Sequence, residues 1–133
     1  MDIRYLLDTH TLIWTLNSPE KLSTLSKTLI EDERYSCFVS KTSLFEIAIK
    51  KNLGKLNFYS SFEDLQKELS TLKIEILEIE LGHLEFYLSL PQNPTHKDPF
   101  DRLIISTAAV ENLKIISKDE KFSLYKDIVE TVW

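Results

Sequence analysis

Four short segments of this 133-residue chain each set an acid beside an apolar run: Asp8 in LLDTHTLIW, Glu46 in SLFEIAIKK, Asp101 in DPFDRLIISTA and Asp119 in IISKDEKF. Gathered in one cleft, such carboxylates repel: at ~4 Å and an effective dielectric of ~20, each like-charged pair costs about 4 kcal/mol. A cluster of this kind needs a counter-charge. All-oxygen ligands suit Mg2+ or Mn2+. The three histidines (His10, His83, His96) and the single cysteine are too few and too scattered to suggest zinc. A carboxylate-held divalent cation activates water and neutralises phosphate charge, which is phosphoryl chemistry.

Each acid also has an ordinary structural reading. Asp8 precedes Thr9 and suits a helix N-cap. Glu46 has Lys50 four residues on, a surface pair worth ~0.2–0.5 kcal/mol. Asp98 before Pro99 matches an N-cap with proline at the first helical position. Asp101 then falls three residues into that helix, where an acid closes a capping box or favours the dipole. Asp119 suits a turn or N-cap before EKFSLY. The joint placement of the acids, at strand ends and adjacent helix starts, is what points to a shared site.

The elements that must position them follow from patterning. Strands are expected at Ile3–Leu7, Tyr35–Val39, Ile74–Ile79, Lys114–Ser117 and Ile128–Val132. Helices are expected at His10–Leu16, entered at Thr9, and at Thr24–Asp32. A third runs from a cap at Ser40 or Thr42 through Asn52, with Gly54 ending it. Others fall at Phe62–Leu72, Leu84–Leu90 and Pro99–Asn112, with a helical turn at Glu120–Tyr125. Pro91–Lys97 reads as a loop. Alternation of this kind predicts an α/β fold with a mainly parallel sheet covered on both faces. In such sheets ligands bind at the carboxyl ends of the strands. Asp8 and Asp119 then share one edge with the helix starts that carry Glu46 and Asp101. No repeat or linker divides the chain, and its length suits one domain over 1–133.

Composition narrows the function further. The net charge of −5 lacks the basic surplus of a protein that grips duplex DNA by its phosphates, although a bound cation lets an acidic protein approach a polyanion. No apolar stretch approaches the ~20 residues of a membrane span. The first residues, MDIRYLLDTH, do not read as a secretion signal, so a cytoplasmic location is expected. Cys37, inside an apolar run, reads as a core residue. Lys50, Lys51 and Lys55 read first as a solvated helix end, and second as guides for a nucleic-acid backbone, with Lys50 nearest Glu46. His96 and Arg102 flank DPFD and could touch a substrate, while Trp14 reads as core.

LLDTHTLIW, SLFEIAIKKNLGKL, HKDPFDRLIISTA and IISKDEKF together resemble the PIN-domain ribonucleases, in particular the VapC toxins of toxin–antitoxin pairs. The resemblance covers nearly the whole chain, in order. It implies a three-layer α/β/α sandwich with a mainly parallel central sheet and a Mg2+- or Mn2+-dependent endoribonuclease. Asp8, Glu46, Asp101 and Asp119 are then the catalytic acids and metal ligands. Asp8 and Asp101 lead, Glu46 binds metal or orients water, and Asp119 completes the cluster. Asp98, Thr9 and Ser117 are expected beside the site. The resemblance also implies an RNA substrate, an antitoxin on a separate chain that can place a basic side chain in the acidic pocket, and a homodimer. Two other classes fit less well. An aspartyl-phosphate phosphatase wants a second Asp where His10 stands, and a receiver domain wants an acidic pair that is absent, although Lys118 is available. A non-catalytic binding module would need no metal.

Overall fold

The computed structural model describes residues 3–57 and 61–133. Its five strands are β1 (Ile3–Leu7), β2 (Tyr35–Ser40), β3 (Ile74–Leu77), β4 (Lys114–Ile116) and β5 (Thr131–Val132). They form one sheet in the order β3-β2-β1-β4-β5, and every pairing is parallel. All carboxyl ends therefore meet along one edge. The helices are α1 (Thr9–Asn17), α2 (Thr24–Glu31), α3 (Lys41–Asn52), α4 (Phe62–Thr71), α5 (Leu81–Leu88) and α6 (Pro99–Glu111), with 3-10 turns at Pro19–Lys21 and Glu120–Tyr125.

Side chains alternate across the sheet, so each strand feeds two cores. Tyr5, Leu7, Cys37, Val39, Ile74 and Ile116 pack with Leu12, Ile13, Leu29, Ile47, Leu65 and Leu69 from α1 to α4. Leu6 and Ile115 turn the other way, onto Ile104, Ile105 and Ala108 of α6 and onto Phe122, Tyr125 and Val129. Helices thus cover both faces, giving the expected three-layer α/β/α arrangement. Cys37 is a free, buried core residue, and burial pushes its thiol up to about 11.

Local chemistry sets the helix ends. Ser40 caps α3 by accepting from the Thr42 N–H at 3.0 Å, and Gly54 follows that helix with φ +71°, a left-handed geometry that favours glycine. Asn112 closes α6 in the same region, at φ 57°.

Two boundaries differ from the sequence reading by three residues, and β3 and the fifth helix each end two residues early, at Leu77 and Leu88. The last strand is only Thr131–Val132, because the Ile128 and Val129 N–H groups donate to Tyr125 O at 2.8 and 3.0 Å and complete the preceding turn. The fifth helix starts at Leu81 rather than Leu84, because Glu80 and His83 close a capping box. The Glu80 N–H donates to His83 Nδ1 (3.1 Å), and His83 Nε2 lies 3.0 Å from Glu111 Oε1, so this histidine ties α5 to α6.

Candidate active site

Asp8 is the first residue beyond β1, and its backbone N–H extends the ladder to Ile116 O at 3.2 Å. It does two jobs at once. One carboxylate oxygen accepts from the Thr11 N–H at 2.8 Å, capping α1, and the other accepts from the Ser117 hydroxyl. Asp8 is only 3% exposed, so these bonds offset its desolvation. Ser117 in turn accepts from the Asp119 N–H at 3.0 Å. The ends of β1 and β4 are thereby joined through one hydroxyl.

Thr9 donates to Glu46 Oε1 at 2.7 Å, and its oxygen lies 3.0 Å from the Ser43 hydroxyl, both partners being on α3. Lys50 Nζ stands 3.7 Å from the other Glu46 oxygen. The expected surface pair exists, but Glu46 is mostly covered, with 15% of its side chain exposed. Phe45 and Phe100, the neighbours of Glu46 and Asp101 in sequence, meet edge to face at 5.9 Å between α3 and α6.

Asp98 caps α6, accepting from the Phe100 and Asp101 N–H groups at 2.9 and 3.3 Å, and Pro99 occupies the first position. Asp101 sits where a capping box would place an acid, yet its Oδ2 lies 3.1 Å from His96 Nε2 instead. Burial lifts the Asp101 carboxyl to about 6. The His96 hydrogen bond opposes that rise, and the nearby charges of Asp98 and Asp8 add to it. Asp119 is exposed and caps the 3-10 turn, accepting from the Lys121 N–H at 2.9 Å.

Asp8, Glu46, Asp98, Asp101 and Asp119 all line one cavity of about 170 Å3, together with Thr9, His10 and His96. Thr95, Lys97 and Lys121 complete its wall. Every acid singled out in the sequence reaches it. Among the described residues, no three His, Cys, Asp or Glu side chains are close enough to form a ready-made metal cluster. The donor set is nonetheless hard oxygen, the kind that suits Mg2+ or Mn2+.

His96 sits closer to the acids than the sequence reading gave it, against Asp101 on the cavity wall. It is 2% exposed, and its other nitrogen lies 2.8 Å from the Tyr125 hydroxyl. Arg102 proves to be internal rather than a substrate contact: its guanidinium donates to Pro91 O and to Tyr125, both at 3.0 Å, and lies over the Tyr87 ring. The HKDPFDR spacing placed His96 and Arg102 near Asp101, but nothing local signalled Tyr125. Trp14 is half-buried, packed edge to face on Trp133 with Lys21 and Lys118 near its ring.

An all-parallel sheet with a five-acid cavity at its carboxyl edge defines the class, and the family model described as PIN domain matches residues 5–128. The chain belongs to the PIN-domain family. Its fold is similar to VapBC2 from Rickettsia felis bound to a promoter DNA fragment, at 20% identity and TM-score 0.68, covering 97% of this chain and 98% of that one. DNA-bound VapBC from Salmonella typhimurium is similar at 16% identity and TM-score 0.67, covering 98% and 97%. VapBC-5 from Mycobacterium tuberculosis, a member of the VapBC family of toxin–antitoxin systems, is similar at 17% identity and TM-score 0.58, covering 97% and 95%. Among curated proteins, none matches the chain. No helix among the described residues is long and apolar enough to cross a membrane.

Proposed function

We propose that this chain is a divalent-metal-dependent endoribonuclease and the toxin of a toxin–antitoxin pair. The observation that carries the reading is the shared cavity, to which β1, α3, α6 and the exit of β4 each bring a carboxylate. Asp8, Asp101, Glu46 and Asp119 would hold Mg2+ or Mn2+, which when bound supplies a water nucleophile and charge neutralisation at phosphorus. Asp8 and Asp101 are the principal ligands in this reading. Ser117 and Thr9 keep Asp8 and Glu46 oriented through their hydroxyl donors. Asp98 holds the start of α6 and adds negative charge beside Asp101. Lys97 and Lys121, on the cavity wall, are placed to attract a phosphodiester backbone, and Lys50, the partner of Glu46, would add to that attraction.

The relatives support one of the expected partners. The similar structures are VapBC assemblies, one of them a member of the VapBC family of toxin–antitoxin systems, which supports a separate antitoxin chain as the partner of this one. A guanidinium from that chain could occupy the carboxylate cavity and block it. One domain over 1–133, a homodimer and a cytoplasmic site of action belong to the same reading.

The test is cleavage of RNA by the purified protein with Mg2+ or Mn2+, with and without EDTA, beside Asp8→Asn and Asp101→Asn. Metal-dependent cleavage lost in both variants is the expected result. Cleavage that survives EDTA, or that survives both substitutions, overturns the proposal.

A further inference from the structure

Behind Asp101 lies a row of polar groups that the proposed chemistry does not use. Arg102, Tyr125 and His96 are 5%, 1% and 2% exposed, and they join end to end. Arg102 Nη1 is 3.0 Å from the Tyr125 oxygen, that oxygen is 2.8 Å from His96 Nδ1, and His96 Nε2 is 3.1 Å from Asp101 Oδ2.

The chemistry of the ends gives the row a direction. A guanidinium only donates, so the Tyr125 oxygen accepts from Arg102. The second N–H of Arg102 Nη1 is taken by Pro91 O at 3.0 Å. The Tyr125 hydroxyl proton then needs an acceptor inside the protein, and His96 Nδ1 is the one the structure offers. A Nδ1 that accepts leaves the ring proton on Nε2. That proton faces the Asp101 carboxylate, which only accepts when ionised. All the hydrogen bonds run the same way, from Arg102 to Asp101.

We propose that Arg102, Tyr125 and His96 form a one-way hydrogen-bond chain that fixes the Nε2–H tautomer of His96, and that His96 is a positioning residue which aims the Asp101 carboxylate into the cavity. The loop before α6 is built to hold this ring. Arg102 anchors its first residue, Pro91, and Asn93 accepts from the Thr95 N–H and hydroxyl at 3.0 and 2.8 Å. The His96 N–H closes the loop onto Asn93 O at 3.1 Å. The ring is packed against Phe122 and Tyr125. With one Asp101 oxygen so held, the other is left for a ligand in the cavity. This purpose rests on the metal-dependent reading above, whereas the direction of the chain does not.

The experiment therefore has two arms on the full 133-residue protein. The first is long-range 1H–15N correlation of the histidine rings in the metal-free protein, with His96 assigned by its absence in His96→Gln. The expected signature is a proton on Nε2 and an accepting Nδ1, the latter perturbed in Tyr125→Phe. A proton on Nδ1 overturns the chain without touching the nuclease reading. The second arm is Mn2+ affinity by calorimetry, with melting temperature followed for each variant. Removing a group that orients a metal ligand typically costs roughly 10–100-fold in affinity. Tyr125→Phe and His96→Asn, whose amide is too short to reach Asp101, should show such a loss. His96→Gln, whose amide nitrogen replaces Nε2, should recover most of it. Equal affinities for His96→Asn and His96→Gln overturn the positioning role. Wild-type protein that binds no Mn2+ overturns the metal reading and the purpose of the chain, while the ring spectra still decide its direction.

Discussion

Asp8 and Asp101 open onto the same cavity, but different chemistry holds them. On the strand side, Asp8 takes a backbone N–H from Thr11 and a hydroxyl from Ser117, and Glu46 takes a hydroxyl from Thr9. These donors are neutral, and Thr9 and Ser117 sit within two residues of a strand end. On the helix side, Asp101 stands on the first turn of α6 with an imidazole as its side-chain partner, and burial lifts its carboxyl to about 6. The strand side is therefore the fixed half of the site. The helix side carries the acid whose ionisation burial opposes, and it depends on residues from three separate segments.

The largest expected effect removes either half. Asp8→Asn and Asp101→Asn should each reduce RNA cleavage by about a hundredfold or more, read as initial rates. Asn is as good an N-cap as Asp, so Asp8→Asn should leave the melting temperature nearly unchanged, whereas Asp8→Ala should lose about 1 kcal/mol of stability as well. Full activity in Asp8→Asn would break the comparison, since the fixed half would then be structural only.

The next effect separates the halves by pH. The folded Asp101 carboxyl lies near 6, above its ordinary 3.8, so between these values the folded protein binds more protons than the unfolded chain. Stability of the metal-free protein should therefore fall as pH rises from about 4 to about 6, by about 2 kcal/mol from this group. Urea unfolding in EDTA at several pH values should show that loss in the wild type and a flatter profile in Asp101→Asn. Identical profiles would mean that burial does not oppose the ionisation of Asp101.

A smaller effect sharpens the strand side. Ser117→Ala cuts the link between Asp8 and the Asp119 backbone and should cost about 1 kcal/mol in urea unfolding. Cleavage should fall several-fold and not vanish, because the Thr11 N–H still holds Asp8. The smallest effect is a control: with its thiol pushed up to about 11 inside the core, Cys37 should resist thiol reagents until the protein unfolds.

Much of this was legible in the chain. Caps are local, so Ser40, Asp98 and Gly54 announced the helix ends that the structure shows. Apolar runs bounded by turn residues announced the strands. The exceptions were also local but weaker: a Glu80–His83 capping box moved one helix start, and the turn after Tyr125 shortened the last strand.

By itself, the sequence determined the alternation of strands and helices, and hence which acids stand where strands end. Those features depend on residues a few positions apart, where hydrogen-bond reach and side-chain period leave few choices. Tertiary structure alone decided what each acid touches. Ser117 reaches Asp8 only because β4 pairs beside β1, and Thr9 reaches Glu46 only because α3 packs next to α1. Tyr125 joins His96 and Arg102 only once the last turn folds over α6. Contacts across such separations arise from how the two cores close on the sheet, and no local pattern encodes them.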